Sequence, residues 1–244
     1  MKALTAIAGI LFIVCIPVFL ITTDLRCATN DIRLYQYGFN KYQVSAATGL
    51  ENEELVDVAD RMITYFNSDE EFFETDLFNQ RELAHLKDVK GLIRLAYYLQ
   101  LASLAYIAIY VVISFVLRRG AFWPRLARLV IRGSGTTVAL LAVFGIWAVI
   151  DFDSLFLLFH LVGFSNDLWQ LYPGDNMLLI FPQGFFNDAA LFVAAAAVGE
   201  AIIIGGISWG FLKLRGRTKK EAAPVESHTD GDGTTYLSDT KSNP

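Results

Sequence analysis

The chain has 244 residues, of which 54% are hydrophobic, and its 25 acidic and 20 basic side chains give a formal charge of −5. That apolar content would suit a large soluble core, but it is gathered into long uncharged runs, which excludes an ordinary soluble domain. Neither the acidic balance nor any basic stripe points to a nucleic-acid partner.

The first run, Leu4 to Thr22, carries no charge and follows Lys2. It is too long for a secretory leader and lacks an Ala-x-Ala cleavage site, so residues 1–23 are read as a first transmembrane helix. Cys15 lies inside this helix and Cys27 just beyond it. A helix separates them by roughly 18 Å, too far for a disulfide, so two unpaired thiols are expected.

Residues 24–93 are mostly polar and rich in Asp and Glu, and are read as a cap outside the membrane. Within it, Arg33 to Ser45 alternates aromatic with polar residues in the manner of a strand or hairpin. Leu55, Val58, Met62, Ile63 and Phe66 then form one stripe of an amphipathic helix, with acids in its first turn. After an acidic loop, a second cap helix is predicted to begin near Leu77 and to continue through His85 into the second span, residues 94–117.

Residues 118–132 carry Arg118, Arg119, Arg125, Arg128 and Arg132 against no acid and read as a cytoplasmic loop. The third span, residues 133–151, is expected to start at the Gly133-Ser134-Gly135 break and to end near Ile150, because Asp151 and Asp153 are costly in hydrocarbon. Phe152 onward is then an interfacial or re-entrant helix, or the continuation of one longer helix to Leu161. The remainder of residues 152–188, with Trp169, Tyr172 and several Phe, suits the bilayer interface. The fourth span, residues 189–212, is interrupted only by Glu200, which is either functional or a helix-packing contact near Gly199 and Gly205. Residues 213–244 begin with five basic side chains and become a polar tail that is expected to be disordered, with no role for His228. The basic segments place both termini in the cytoplasm, and residues 24–93 and 152–188 on the outer face. The fold class is therefore an α-helical integral membrane protein, with four transmembrane helices and a small α+β extracytoplasmic cap.

Of the three histidines, His85 and His160 both fall where an outer segment meets the membrane. Helical spacing puts Arg81, His85 and Asp88 on one face, with Glu82 three residues before the histidine. Asp153, Asn166 and Asp167 accompany His160. Each histidine alone also fits a solvated helix face or an aromatic belt; together at one depth they suggest acid/base chemistry at a lipid boundary. There is no GxSxG elbow, HExxH pair, phosphate loop or dinucleotide fingerprint, so no metal and no cofactor is expected, and a nucleophile would come from the substrate.

Two strings also carry a family resemblance. RELAHLKDVKGLI (Arg81 to Ile93) resembles an R-E-x-x-H-hydrophobic-x-D-V-K element of the bacterial lipoprotein intramolecular transacylases. DFDSLFLLFHLVGFSNDLWQLYPGDNMLLIFPQGFF (Asp151 to Phe186) is similar to their F-H-x-x-x-F-x-N-x-x-W-x-L-x-P block and the F-P-x-x-F-F that follows. Tyr37 to Tyr42 and Thr48 to Leu55 add smaller matches, while Leu86 and Gln183 stand where Met and an acid are expected. The resemblance implies four membrane helices under an extracytoplasmic cap in the bacterial cell membrane, with His85 and His160 as catalytic residues. It also implies lipid-anchored protein substrates among membrane lipids, and transfer of an sn-2 acyl chain to the α-amino group of an N-terminal cysteine. Arg81, Glu82, Asp88, Asp153, Asn166 and Trp169 are the candidates for orienting that substrate. The competing readings are a non-enzymatic membrane protein whose cap binds a peptide or lipid, and a bimolecular phospholipid-dependent acyltransferase.

Overall fold

The computed structural model describes residues 2–118, 122–221, 227–229 and 235–237. Four of its helices are long and apolar enough to cross a membrane, over Ala3–Asn30, Gln80–Leu117, Phe122–Ile150 and Gln183–Thr218. They belong to α1 (Lys2–Asn30), α5 (Gln80–Arg118), α6 (Phe122–Ile150) and α9 (Gln183–Glu221). Between them come α2 (Ile32–Lys41), α3 (Val44–Thr48), α4 (Asn52–Asn67), α7 (Phe152–Gly163) and α8 (Asn176–Ile180).

In the bundle α6 lies along α9, and α1 packs on α5, α6 and α9. Phe12, Ile16 and Leu20, spaced four apart on α1, are buried with Leu129 of α6 and with Ala197 and Ala201 of α9. The opposite faces stay bare: Val112, Ile113, Phe115, Val116 and Leu117 of α5 are all exposed, as expected of surfaces solvated by acyl chains rather than water. The Gly133-Ser134-Gly135 sequence does not start the third helix, which runs unbroken from Phe122. A Cβ at Gly133 would collide with Ile16, so this glycine serves the close approach of α1 and α6 rather than a turn. Much of the basic stretch expected as a loop is consequently helical, and Arg125 donates to the Thr5 carbonyl oxygen at 3.2 Å.

The cap is helical where strands were expected. Tyr35, Gly38 and Phe39 are the buried residues of α2, a three-four spacing that matches a helix and not a pleat. Asp31 caps the helix by accepting from the Arg33 amide at 3.0 Å. Gly38 lies hard against the Phe185 ring, leaving no space for a side chain. α4 opens with a Glu51 and Glu54 capping box and buries Leu55, Val58, Met62 and Phe66. These residues join Phe73, Phe78, Leu86, Met177, Ile180, Phe181 and Phe185 in one core, so the cap encloses the first turns of α5 and the approach to α9. Lys41 and Tyr42 fasten it further, both donating to Asp188 Oδ2, at 2.6 and 2.9 Å.

Among the described residues the only strands are β1 (Ser227–Thr229) and β2 (Thr235–Leu237), which pair antiparallel in a tail that was expected to lack structure. Residues 222–226, 230–234 and 238–244 of that tail lie outside the described residues. Cys15 and Cys27 are free thiols.

Candidate active site

α6 stops at Ile150, and Asp151 caps a separate α7 by accepting from the Ser154 amide at 3.1 Å. Beyond this break α7 carries His160 to the His85 ring of α5. α5 begins in the cap and is continuous with the second span, so His85, five residues after its first, stands above the uncharged stretch Leu95–Leu117. The two rings meet with centroids 6.1 Å apart and planes inclined at 32°. Each histidine is only 7% exposed.

Aromatic rings wall the pair. Phe164 lies 5.0 Å from His85 and 5.5 Å from His160, while Phe156, Phe159 and Trp169 stand 4.3, 5.4 and 5.1 Å from His160. His160 Nδ1 is 2.7 Å from the Phe156 carbonyl oxygen, which can only accept. The proton therefore sits on Nδ1 and Nε2 keeps a bare lone pair. His85 Nδ1 is buried with no hydrogen-bond partner, the unusual state of a polar atom kept dry without being satisfied.

Burial also sets the charge state. Desolvation, helped by the neighbouring His160 and opposed by Asp88, pushes His85 down to about 4. Desolvation likewise lowers His160, against the opposing Phe156 carbonyl. Both rings are thus neutral near pH 7.

A polar strap holds the two histidine segments together. Arg81 donates to the carbonyl oxygens of Asp167 and Gln170, and its guanidinium lies 5.5 Å from the Tyr172 ring centroid. Asn166 Nδ2 donates to Asp88 Oδ2 at 2.8 Å, and Asn79 Nδ2 to Asp175 Oδ1 at 2.9 Å. Arg81, Asp88, Asn166 and Trp169 are therefore gathered around the pair. Asp153 is not: it accepts from Gln183 at 2.8 Å and ties α7 to the start of α9.

Glu82 also turns away from His85. It is 1% exposed, and its two oxygens accept from the backbone amides of Asn79 and Met177 at 2.7 and 2.6 Å. With the Asn79 side chain accepting from the Glu82 amide at 3.1 Å, it forms a capping box on α5 that also clamps α8. The Asn-x-x-Glu spacing of residues 79–82 was the signal for this. Lys90 and Arg94 were missed as well: Lys90 Nζ donates to the Glu70 carbonyl oxygen at 2.6 Å, and Arg94 reaches Ser68 and Asp69, so α5 pins the acidic loop beside the cap core.

Fold and site together define a multi-pass, four-helix membrane protein with a dry imidazole pair under a helical cap. The family model for the lipoprotein intramolecular transacylase Lit matches residues 10–186, and the chain belongs to that family of membrane acyltransferases. An uncharacterized protein of Aquifex aeolicus (strain VF5) is 29% identical over 180 residues, covering 69% of this chain and 79% of that one. The in meso structure of the integral membrane Lit of Bacillus cereus superposes with a TM-score of 0.77 at 19% identity, over 89% of this chain and all of that one. A variant of that protein with one histidine changed to alanine gives 0.72 at 18% identity, over 91% and 97% of the two chains.

Proposed function

We propose that the protein moves the sn-2 acyl chain of a diacylglyceryl lipoprotein onto the α-amino group of its own N-terminal cysteine, with His85 and His160 as the acid/base pair. The observation that carries this reading is the dry pair itself, two neutral imidazoles at a separation where one reacting group can contact both. The bare Nε2 of His160 accepts the amine proton as the N–C bond forms. The C–O bond to glycerol then breaks and the departing oxygen takes a proton from the pair, which ends as it began. Ester becomes amide, a downhill exchange that needs no nucleotide. Because amine and ester belong to one molecule, the enzyme's task is to fold the substrate on itself, and effective molarity supplies several kcal/mol.

Arg81, Asp88, Asn166 and Trp169 orient the ester and headgroup, and Asp153 and Glu82 support the elements that carry them. The basic stretches around Arg125 and Lys213 belong in the cytoplasm, which sets the cap and the histidines on the outer face of the bacterial membrane.

Mass spectrometry of a lipoprotein N-terminal peptide, from a host lacking N-acylation, tests the reaction. With the protein present the α-amine is expected to be acylated and the glycerol to lose one chain; unchanged acyl positions would overturn the assignment. The pH profile of purified protein tests the site. Activity is expected to fall with the free amine below its ordinary value of about 7.7 to 8.0. Because burial pushes His85 down to about 4 and also lowers His160, any second break is expected below the ordinary imidazole value of about 6.5 and not at it. A break at about 6.5 would mean that the pair titrates as if in water.

A further inference from the structure

The face of α6 that the bundle leaves uncovered changes character along its length. Arg125, Arg128 and Arg132 follow one another at spacings of three and four, which puts all three on one side of the helix. Ala139, Val143, Ile146 and Ile150 continue the same line, and these four are exposed, as are Arg128 and Arg132. The buried Ala127, Leu129 and Gly133 lie on the other side, against the rest of the bundle. From Arg132 to Ile150 the helix rises about 27 Å, close to the thickness of a hydrocarbon core of about 30 Å. The arginines therefore stand at the lipid boundary remote from the cap.

Basic side chains at the cap end have acids of their own: Lys41 meets Asp188 at 2.6 Å, and Arg94 meets Asp69 at 2.9 Å. The α6 stripe does not. Residues 89–150 contain no Asp or Glu, and among the described residues Arg128 and Arg132 have no ion-pair partner. Arg125 is tied to the fold by its donation to the Thr5 carbonyl oxygen, which fixes one end of the stripe.

We infer that this face binds an anionic phospholipid of the leaflet remote from the cap, with its phosphate against Arg128 and Arg132 and its acyl chains along Ala139 and Val143. Two guanidinium groups one turn apart match the oxygens of a single phosphate, which they can engage in pairs of charge-assisted hydrogen bonds. Val143 lies about 16 Å of helix rise from Arg132, one leaflet depth, so headgroup and chains are met in the order a lipid presents them. Helix orientation in the membrane depends on how many bases a segment carries, whichever side they occupy. Their gathering on the one line that also exposes apolar side chains is what a bound lipid requires. The site lies at the end of the bundle opposite the histidines and does not depend on the transfer proposed above.

The test titrates the full-length protein in detergent with dioleoylphosphatidylglycerol or with dioleoylphosphatidylcholine, and counts bound lipid by native mass spectrometry. The parent is expected to favour the anionic lipid. Combining Arg128→Gln with Arg132→Gln should lower the ratio of the two affinities by about thirtyfold, a factor of about five for each base lost beside a headgroup. Arg33→Gln with Arg61→Gln removes two bases of the cap and is expected to leave the ratio unchanged. A ratio unaltered in the α6 variant, or lowered equally in the cap variant, would overturn the assignment. Inorganic phosphate at the concentration of the lipid is expected not to displace it; displacement would mean a site for free anions and would overturn the lipid. Neither arginine side chain has an ion pair to lose, so the double variant should fold. If it is not recovered, each single substitution is read by the same ratio, with a fall of about fivefold expected and no fall overturning the site.

Discussion

Replacing His85 or His160 with alanine is expected to lower acyl transfer by about 10² to 10⁴-fold, the usual contribution of a positioned acid or base. Folding should survive either change. His85 Nδ1 has no hydrogen-bond partner to lose. The Phe156 carbonyl that His160 engages belongs to a helix, whose own ladder can satisfy it. The loss should therefore appear in the rate of purified, monodisperse protein acting on diacylated lipoprotein and not in its melting temperature. Transfer retained by a well-folded variant would remove that histidine from the chemistry. Omitting free phospholipid separates the bimolecular reading, since an intramolecular reaction proceeds without it.

Glu82→Ala is expected to be the most destabilising change in the cap. It leaves the buried Met177 amide unpaired, at about 1 to 3 kcal/mol, while the amide of the exposed Asn79 can turn to water. For a chain of this size that corresponds to a fall in melting temperature of roughly 2 to 12 °C. Glu82→Gln keeps one acceptor and should fall between the parent and the alanine variant. Thermal unfolding in detergent measures this, and an unchanged midpoint for Glu82→Ala would rule out the clamp. A lowered activity that returns on cooling would show that Glu82 positions the site rather than joins the chemistry.

The four spans were legible because uncharged runs of this length have few other homes. The two histidines stood out by scarcity and by the motifs around them. What stayed hidden was decided by distant partners. The aromatic alternation around Tyr35 suggests a strand only until Phe185, far along the chain, packs against Gly38 and selects the helical register. Gly133 looks like a break until Ile16 fills the space beside it. The shared helix face of Arg81, Glu82, His85 and Asp88 suggests one ensemble. In the folded chain each side chain finds its own partner: Arg81 the 167–170 backbone, Glu82 two amides, Asp88 Asn166. Local spacing gives the direction in which a side chain leaves its helix, but not what approaches from the other side.

α5 is one helix of 39 residues, about 58 Å long, with its charged end in the cap and its apolar end in the bundle. A hydrocarbon core about 30 Å thick covers only part of that length. The altitude of His85 over the lipid is thus fixed by a rigid rod rather than by a flexible loop. If His85 acts on an ester at the headgroup boundary, as proposed, bilayer thickness determines whether the two meet: a thick membrane lifts the lipid glycerol toward the ring, and a thin one lowers it away.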